Sequence, residues 1–302
     1  RAAYVGGCTG TSNVLAGRRF GIPLKGTHAH SWVMSFEDED EAFSAWADAS
    51  PNNCVFLVDT YDSIAGVRKA IRAGERLRQR GFEMIGVRLD SGDLVALSRQ
   101  ARQMLDEAGF PEASVVASSD LDELRITRLK EAGAAIDVWG VGTRLATASG
   151  QSALGGVYKL SALRDPGGAW QSKVKLSEVA GKTSNPGMQQ VRRFRSEERL
   201  MGDVIYDETL GIETPYRWVD GEGVEQHIGP HNAFEDLLQP VMQRGQRIAE
   251  SPSVQTLRER ALSQLDRLDP ATTRLVEPEV YPVGLDPRLN RLKSDLIREI
   301  KR

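Results

Sequence analysis

The run Gly86-Val87-Arg88-Leu89-Asp90-Ser91-Gly92-Asp93-Leu94, followed on to Gly109, decides the fold class. Residues 84–89 are short, apolar and not alternating, the pattern of a strand buried on both faces. Leu94, Leu97, Ala101, Met104, Leu105 and Ala108 then recur at helical spacing, and Gly109 stands where a helix C-cap belongs. A buried strand leading at once into an amphipathic helix is the repeating unit of a parallel α/β sheet. The polar string between them lies at the C-terminal end of the strand, where such sheets gather their chemistry.

The alternation extends in both directions. Further apolar runs fall at 22–25, 54–59, 114–117, 136–141 and 157–160. Helical patterns lie between them: Ile64, Val67, Ile71 and Leu77 before Gly81, and Leu121, Leu124 and Leu129 before Gly133. The acidic run 37–41 opens another helix through Ala42, Phe43, Trp46 and Ala47, with its carboxylates at the positive end of the dipole. Strand, helix and strand recurring at about 30 residues predicts parallel pairing, and this many units predicts a barrel over an open sheet. After Ser161 the style changes. Asp165-Pro166-Gly167-Gly168, Asn185-Pro186-Gly187 and Asp220-Gly221-Glu222-Gly223 are turn signals between strand-like runs at 191–194, 203–206 and 216–219. These read as antiparallel β, and 240–268 and 287–301 read as closing helices. The expected division is an α/β barrel over 1–163, a β-rich segment over 164–239 and C-terminal helices over 240–302.

Composition bounds the function. The chain has 302 residues and a mass of 33.2 kDa, enough to bury about three quarters of its unfolded surface. Hydrophobic content of 40% and charged content of 27% exclude a wholly disordered chain. A net charge of −3 and a pI near 5.9 give no general attraction for nucleic acid or an anionic membrane. Arginines outnumber lysines but are spread over many helices, as solvated faces require. No apolar run reaches the roughly 18 residues of a membrane span. Cys8 and Cys54 form no disulfide framework, so a reducing cytoplasm is the expected setting. The chain opens on Arg1 inside a helical pattern.

Polar residues stand at nearly every strand end: Gly26-Thr27-His28-Ala29-His30-Ser31, Asp59-Thr60-Tyr61-Asp62-Ser63, Arg88 to Asp93, Ser118-Ser119-Asp120, and Gly140-Val141-Gly142-Thr143-Arg144. Any one of these would be ordinary capping, whereas five in register point to a site. By position His30 can serve as nucleophile, general base or metal ligand, or be a surface histidine. A His28/His30 metal pair lacks a third ligand at zinc-like spacing. Gly229 and Pro230 break the helix that a His227/His231 pair would need, leaving two loop histidines. Ser119-Asp120 and Gly142-Thr143 suit backbone binding of phosphate, although tight packing also explains a Gly-x-Gly. Arg88 and Asp90 lie two apart at one strand end, facing the barrel mouth or forming a structural ion pair.

Four strings together resemble the nicotinate phosphoribosyltransferase family: Gly26 to Ser31, Phe56-Leu57-Val58-Asp59-Thr60-Tyr61-Asp62, Gly86 to Leu94, and Gly155-Gly156-Val157-Tyr158-Lys159-Leu160. The match runs in order from about Gly17 to Arg193. It implies a type II phosphoribosyltransferase fold, an irregular TIM-like α/β barrel with a β-rich second domain. It also implies formation of nicotinate mononucleotide and pyrophosphate from nicotinate and phosphoribosyl pyrophosphate, with ATP and Mg²⁺, in NAD biosynthesis. In that family the histidine of the Gly-Thr-x-x-His string is phosphorylated by ATP, which selects His30 and leaves His28 at a variable position. The resemblance makes Asp59 the residue that orients His30. It places Arg88 and Asp90 at base and ribose, and Ser119, Asp120, Gly142 and Thr143 at ribose and 5′-phosphate. Lys173, Lys175 and Lys182 resemble a family basic stretch that meets pyrophosphate or ATP. The family's N-terminal Asp-x-Tyr-x-x-x-Met-like signature has no counterpart, so the expectation is a chain entering the pattern partway through the barrel. A cytoplasmic homodimer in full-length form is also implied. The competing expectations are a nicotinamide or quinolinate phosphoribosyltransferase, a non-catalytic nucleotide-binding fragment, and an unrelated barrel with well-capped helices.

Overall fold

The computed structural model describes residues 1–229, 231 and 233–302, in two compact units, Arg1–Leu154 and Gly155–Arg302. In the first unit α1 (Glu39–Ala49) precedes an alternating series: β1 (Val55–Leu57), α2 (Ser63–Gln79), β2 (Gly86–Leu89), α3 (Leu94–Glu107), β3 (Ser114–Ala117), α4 (Glu123–Glu131) and β4 (Val138–Trp139). The four strands form one parallel sheet in chain order, with Leu57 beside Arg88 and Arg88 beside Val116. Phe56, Val58, Val87, Leu89 and Val115 from the sheet are fully buried with Phe43, Leu77 and Leu105 from the helices. Each such side chain contributes about 1.5–3 kcal/mol relative to exposure. Gly66 marks the closest approach of helix to sheet: a Cβ there would lie 2.0 Å from the Val58 carbonyl oxygen.

The α/β class and the β-rich second unit are as expected, but the described residues do not close a barrel. β1 and β4 are edges of an open sheet. The outer members of the expected series are missing for local reasons. Residues 22–25 make one bridge, Thr11 with Leu24, because Pro23 has no donor to give a ladder. Residues 157–160 form no strand: Val157 and Tyr158 are exposed, and the preceding Gly155 and Gly156 have nothing packed on them. The strand expected over 136–141 is confined to Val138–Trp139.

The second unit is built on a six-stranded sheet. In chain order its strands are β5 (Gln189–Arg195), β6 (Leu200–Asp207), β7 (Arg217–Val219), β8 (Glu225–His227), β9 (Ala233–Asp236) and β10 (Val283–Leu285). Their order across the sheet is β8-β7-β10-β6-β5-β9, all antiparallel except β10 on β6. The expected turn at 220–223 joins β7 to β8, with Asp220 accepting from the Glu222 and Val224 N–H groups at 2.9 Å. Two helices follow, α5 (Val254–Leu265) and α6 (Pro287–Ile300). The long helix expected over 240–268 is cut back to α5. Met242–Gln243 and Gln246–Arg247 form a hairpin through Arg244 (φ 50°) and Gly245 (φ 76°), the successive positive φ values of a tight hairpin turn. No described helix is long and apolar enough to cross a membrane.

Candidate active site

The ends of β1 and β2 carry two aspartates each, and the fold assigns them different work. Asp62 caps α2 by accepting from Ala65 N at 2.7 Å, and Asp93 caps α3 by accepting from Val95 N at 3.0 Å. A cap of this kind is worth about 1 kcal/mol. Asp59 and Asp90, each three residues earlier, are left for another purpose. Asp59 is buried, its side chain 1% exposed. Its Oδ2 accepts from Asp90 N at 2.7 Å and from Ser91 Oγ at 2.8 Å, so two neighbouring strand ends are tied together. Its Oδ1 has no hydrogen-bond partner among the described residues and lies 3.9 Å from His30 Nε2. A buried carboxylate oxygen without a donor is costly and directs attention to what it faces.

His30 opens the short helix His30–Val33, with its side chain 39% exposed. Nδ1 is 3.0 Å from Thr60 Oγ1, and Nε2 is 3.6 Å from Asp90 Oδ2 as well as facing Asp59. One ring nitrogen therefore meets a hydroxyl and the other meets two carboxylates. Arg88 completes the cluster. Its Nε donates to Ser118 Oγ at 2.8 Å and its Nη2 to Asp90 Oδ1 at 3.0 Å, while Ser118 Oγ also donates to Asp90 Oδ1. Burial would raise the Asp90 carboxyl. The Ser118 and Arg88 hydrogen bonds, with the Arg88 and His30 charges, more than offset that and hold it below the ordinary range. Arg88 and Asp90 are thus an ion pair that also shares a cluster with His30.

Ser119 and Asp120 follow Ser118 with φ of 105° and 45°, an uncommon conformation for two successive residues bearing side chains. Arg125 Nη1 holds this turn by donating to the Ser119 carbonyl at 2.6 Å. Gly142 and Thr143 lie beyond β4 on exposed backbone, where a Cβ at Gly142 would meet nothing within 4 Å. No described side-chain contact joins these four residues to His30. In the second unit, Lys173 reaches Gln171 Oε1 at 3.3 Å, Lys175 reaches the Leu176 carbonyl at 3.2 Å, and the Lys182 carbonyl accepts from Lys159 Nζ at 2.8 Å.

Three residues of the cluster were quoted in the sequence without a role: Thr60, Ser91 and Ser118. For Thr60 and Ser91 the only signal is a hydroxyl directly after a strand-end acid, whereas Ser118 follows the apolar end of β3 with no such mark. Of the histidines, only His227 departs from its expected place. His28 is buried and accepts from Leu57 N through Nε2 at 3.2 Å, with its ring 5.3 Å from Trp46. Burial is the main cause that pushes its pKa down to about 4. His227 ends β8 rather than lying in a loop. His231 packs edge-on to Phe194 at 5.0 Å. Pro230 lies outside the described residues.

An accessible imidazole between two carboxylates, clustered with a guanidinium and the hydroxyls of Thr60, Ser91 and Ser118, is equipped for group transfer at an anionic substrate. Residues 3–196 match the nicotinate phosphoribosyltransferase (NAPRTase) family, and residues 188–293 match the nicotinate phosphoribosyltransferase C-terminal domain. The chain belongs to the nicotinate phosphoribosyltransferase family. It is 42% identical over 309 residues to the nicotinate phosphoribosyltransferase of Bacillus subtilis, covering 100% of this chain and 62% of that protein. A Mycobacterium tuberculosis relative of the same name is 39% identical over 291 residues, covering 96% of this chain and 57% of its own length. The crystal structure of the human nicotinic acid phosphoribosyltransferase superposes with a TM-score of 0.74 at 26% identity, over 98% of this chain and 66% of that one. The chain thus spans less than two thirds of the curated relatives it matches. Every residue of the His30 cluster falls inside the stretch matched by the NAPRTase family.

Proposed function

We propose that the protein transfers the phosphoribosyl group of phosphoribosyl pyrophosphate to nicotinate, giving nicotinate mononucleotide and pyrophosphate, with ATP hydrolysis coupled through a phosphohistidine at His30. The observation that carries this reading is the buried Asp59 Oδ1, unpartnered and facing His30 Nε2 at 3.9 Å, within a chain of this family. Nε2 lies among carboxylates, which favours the ring proton there and leaves Nδ1, beside the Thr60 hydroxyl, as the nucleophile. Nδ1 attacks the γ-phosphorus of ATP, the bond to the ADP oxygen breaks, and ADP leaves. Asp59 orients the ring and stabilises its positive charge as the bond forms.

In the transfer step the bond from the sugar's anomeric carbon to pyrophosphate breaks and the bond to the pyridine nitrogen forms. Positive charge develops at the sugar, as in glycosidic chemistry. Asp90, held ionised by Arg88 and Ser118, supplies fixed negative charge, while Arg88 attracts the nicotinate carboxylate or a phosphate. Ser119, Asp120, Gly142 and Thr143 serve ribose and 5′-phosphate in this scheme. Mg²⁺ would be held chiefly by substrate phosphate oxygens and would neutralise the leaving group. A phosphoryl group on His30 adds roughly −1.5 to −2 charges beside Asp59 and Asp90, by analogy with other phosphoresidues. After nicotinate mononucleotide forms, water attacks the phosphorus, the P–Nδ1 bond breaks and inorganic phosphate leaves, so gain and loss of this charge switch the site between substrate binding and product release. A cytoplasmic homodimer belongs to the same proposal.

The test is product formation from labelled nicotinate and phosphoribosyl pyrophosphate, with and without ATP, with nicotinamide and quinolinate as rival bases. Nicotinate mononucleotide formed faster with ATP, and from nicotinate in preference to the others, is the expected result. Preference for a rival base moves the protein to that substrate, and binding of the mononucleotide without its formation makes it a non-catalytic binder.

A further inference from the structure

β1 is an edge strand, with β2 on one side only. The Val55 carbonyl and the Leu57 N–H face its other edge, and two successive side chains from another loop satisfy them. Thr27 Oγ1 donates to the Val55 carbonyl, and His28 Nε2 accepts from Leu57 N at 3.2 Å. One donor and one acceptor at this spacing do the work of a neighbouring strand's backbone. To accept, the His28 ring must be neutral with its proton on Nδ1, and Nδ1 lies 3.4 Å from the Ala29 carbonyl. The ring is 5% exposed and packs edge-on to Trp46 at 5.3 Å and tilted to Phe43 at 5.9 Å, so burial keeps it in the accepting form at neutral pH. His30 follows two residues later on one side of this link, and Asp59 and Thr60 follow Leu57 within three residues on the other.

We propose that His28 is a positioning residue: by accepting the Leu57 N–H it fixes the register of the 26–31 loop against β1 and so holds His30 opposite Asp59 and Thr60. The proposal rests on the reading of His30 as the phosphoryl acceptor. Two variants separate positioning from mere space filling. His28→Leu keeps bulk but cannot accept, whereas His28→Gln restores an acceptor oxygen at similar reach.

The measurements are hydrogen exchange at the Leu57 amide and the rate at which [γ-³²P]ATP labels His30. In His28→Leu the Leu57 amide should lose protection and labelling should slow about 10- to 100-fold, since a misplacement near 1 Å costs about that much. In His28→Gln both should stay within about threefold of the parent. Equal labelling in His28→Leu and parent, or an equal loss in both variants, overturns the proposal. If the parent itself takes no label, the phosphohistidine reading fails. Carbethoxylation of His30 by diethyl pyrocarbonate, read by peptide mass spectrometry, then decides the positioning claim without any substrate. A rate in His28→Leu at least about threefold different from parent and His28→Gln supports it, and equal rates overturn it.

Discussion

Lowering the pH should unload the His28 link, and the size of the effect follows from burial. In the folded chain the ring titrates at about 4, against 6.5 for an unhindered histidine. Between those values the unfolded chain binds a proton that the folded chain refuses. Stability is therefore complete above pH 6.5, falls as the pH drops, and levels off below about 4. A shift of this size, at about 1.4 kcal/mol per pH unit, amounts to roughly 3 kcal/mol lost across that window. Protonated Nε2 becomes a donor facing the Leu57 N–H, another donor, so the link is reversed as well as weakened. His28→Gln has no titrating group at this position. Urea unfolding of parent and variant at pH 7, 6, 5 and 4 isolates the effect, because every other titrating group cancels in the difference. The gap between the two should shift by roughly 3 kcal/mol in favour of the variant from pH 7 to pH 4. A gap that stays constant with pH, or an NMR titration of His28 centred near 6.5, would refute the reasoning.

Asp59→Asn should fold and still accept from Asp90 N and Ser91 Oγ, yet slow labelling of His30 by ATP about 100-fold or more, read by single-turnover phosphorylation. Arg88→Lys replaces a guanidinium fork by a single ammonium that cannot hold Ser118 and Asp90 together. It should raise the KM for nicotinate about tenfold or more in steady-state assays, with the Tm nearly unchanged. Gly66→Ala drives a methyl group to 2.0 Å from the Val58 carbonyl oxygen, one residue before Asp59, and should cost about 1–3 kcal/mol or more in thermal unfolding.

Local signals in the sequence were enough for the units whose partners are sequential. The 86–109 stretch reads correctly because its strand, its cap Asp93, its helical face and Gly109 (φ 79°) all lie within one continuous segment. Residues 157–160 look equally strand-like, but a strand exists only where another backbone meets it, and composition carries no record of that partner. The Arg244-Gly245 hairpin turn interrupts a run whose apolar spacing resembles a helix. At the site, Asp59 and Asp62, or Asp90 and Asp93, are the same residue type three positions apart. The family strings single out Asp59 and Asp90, and the three-dimensional arrangement adds the reason: Asp62 and Asp93 cap helices while Asp59 and Asp90 face the cluster. The family string leaves His28 at a variable position, and its partner, the Leu57 N–H, is a backbone group on an edge that appears only once the sheet order is known.

The proposed coupling depends on His30 taking a phosphoryl group from ATP. Incubating the protein with [γ-³²P]ATP, digesting it at alkaline pH and locating the label by peptide sequencing and ³¹P NMR tests this directly. Acid-labile label on His30 at Nδ1, discharged on addition of nicotinate and phosphoribosyl pyrophosphate and absent in His30→Asn, is the predicted result. Nicotinate mononucleotide formed with ATP stimulation while His30 stays unlabelled, or with His30→Asn fully active, would contradict it.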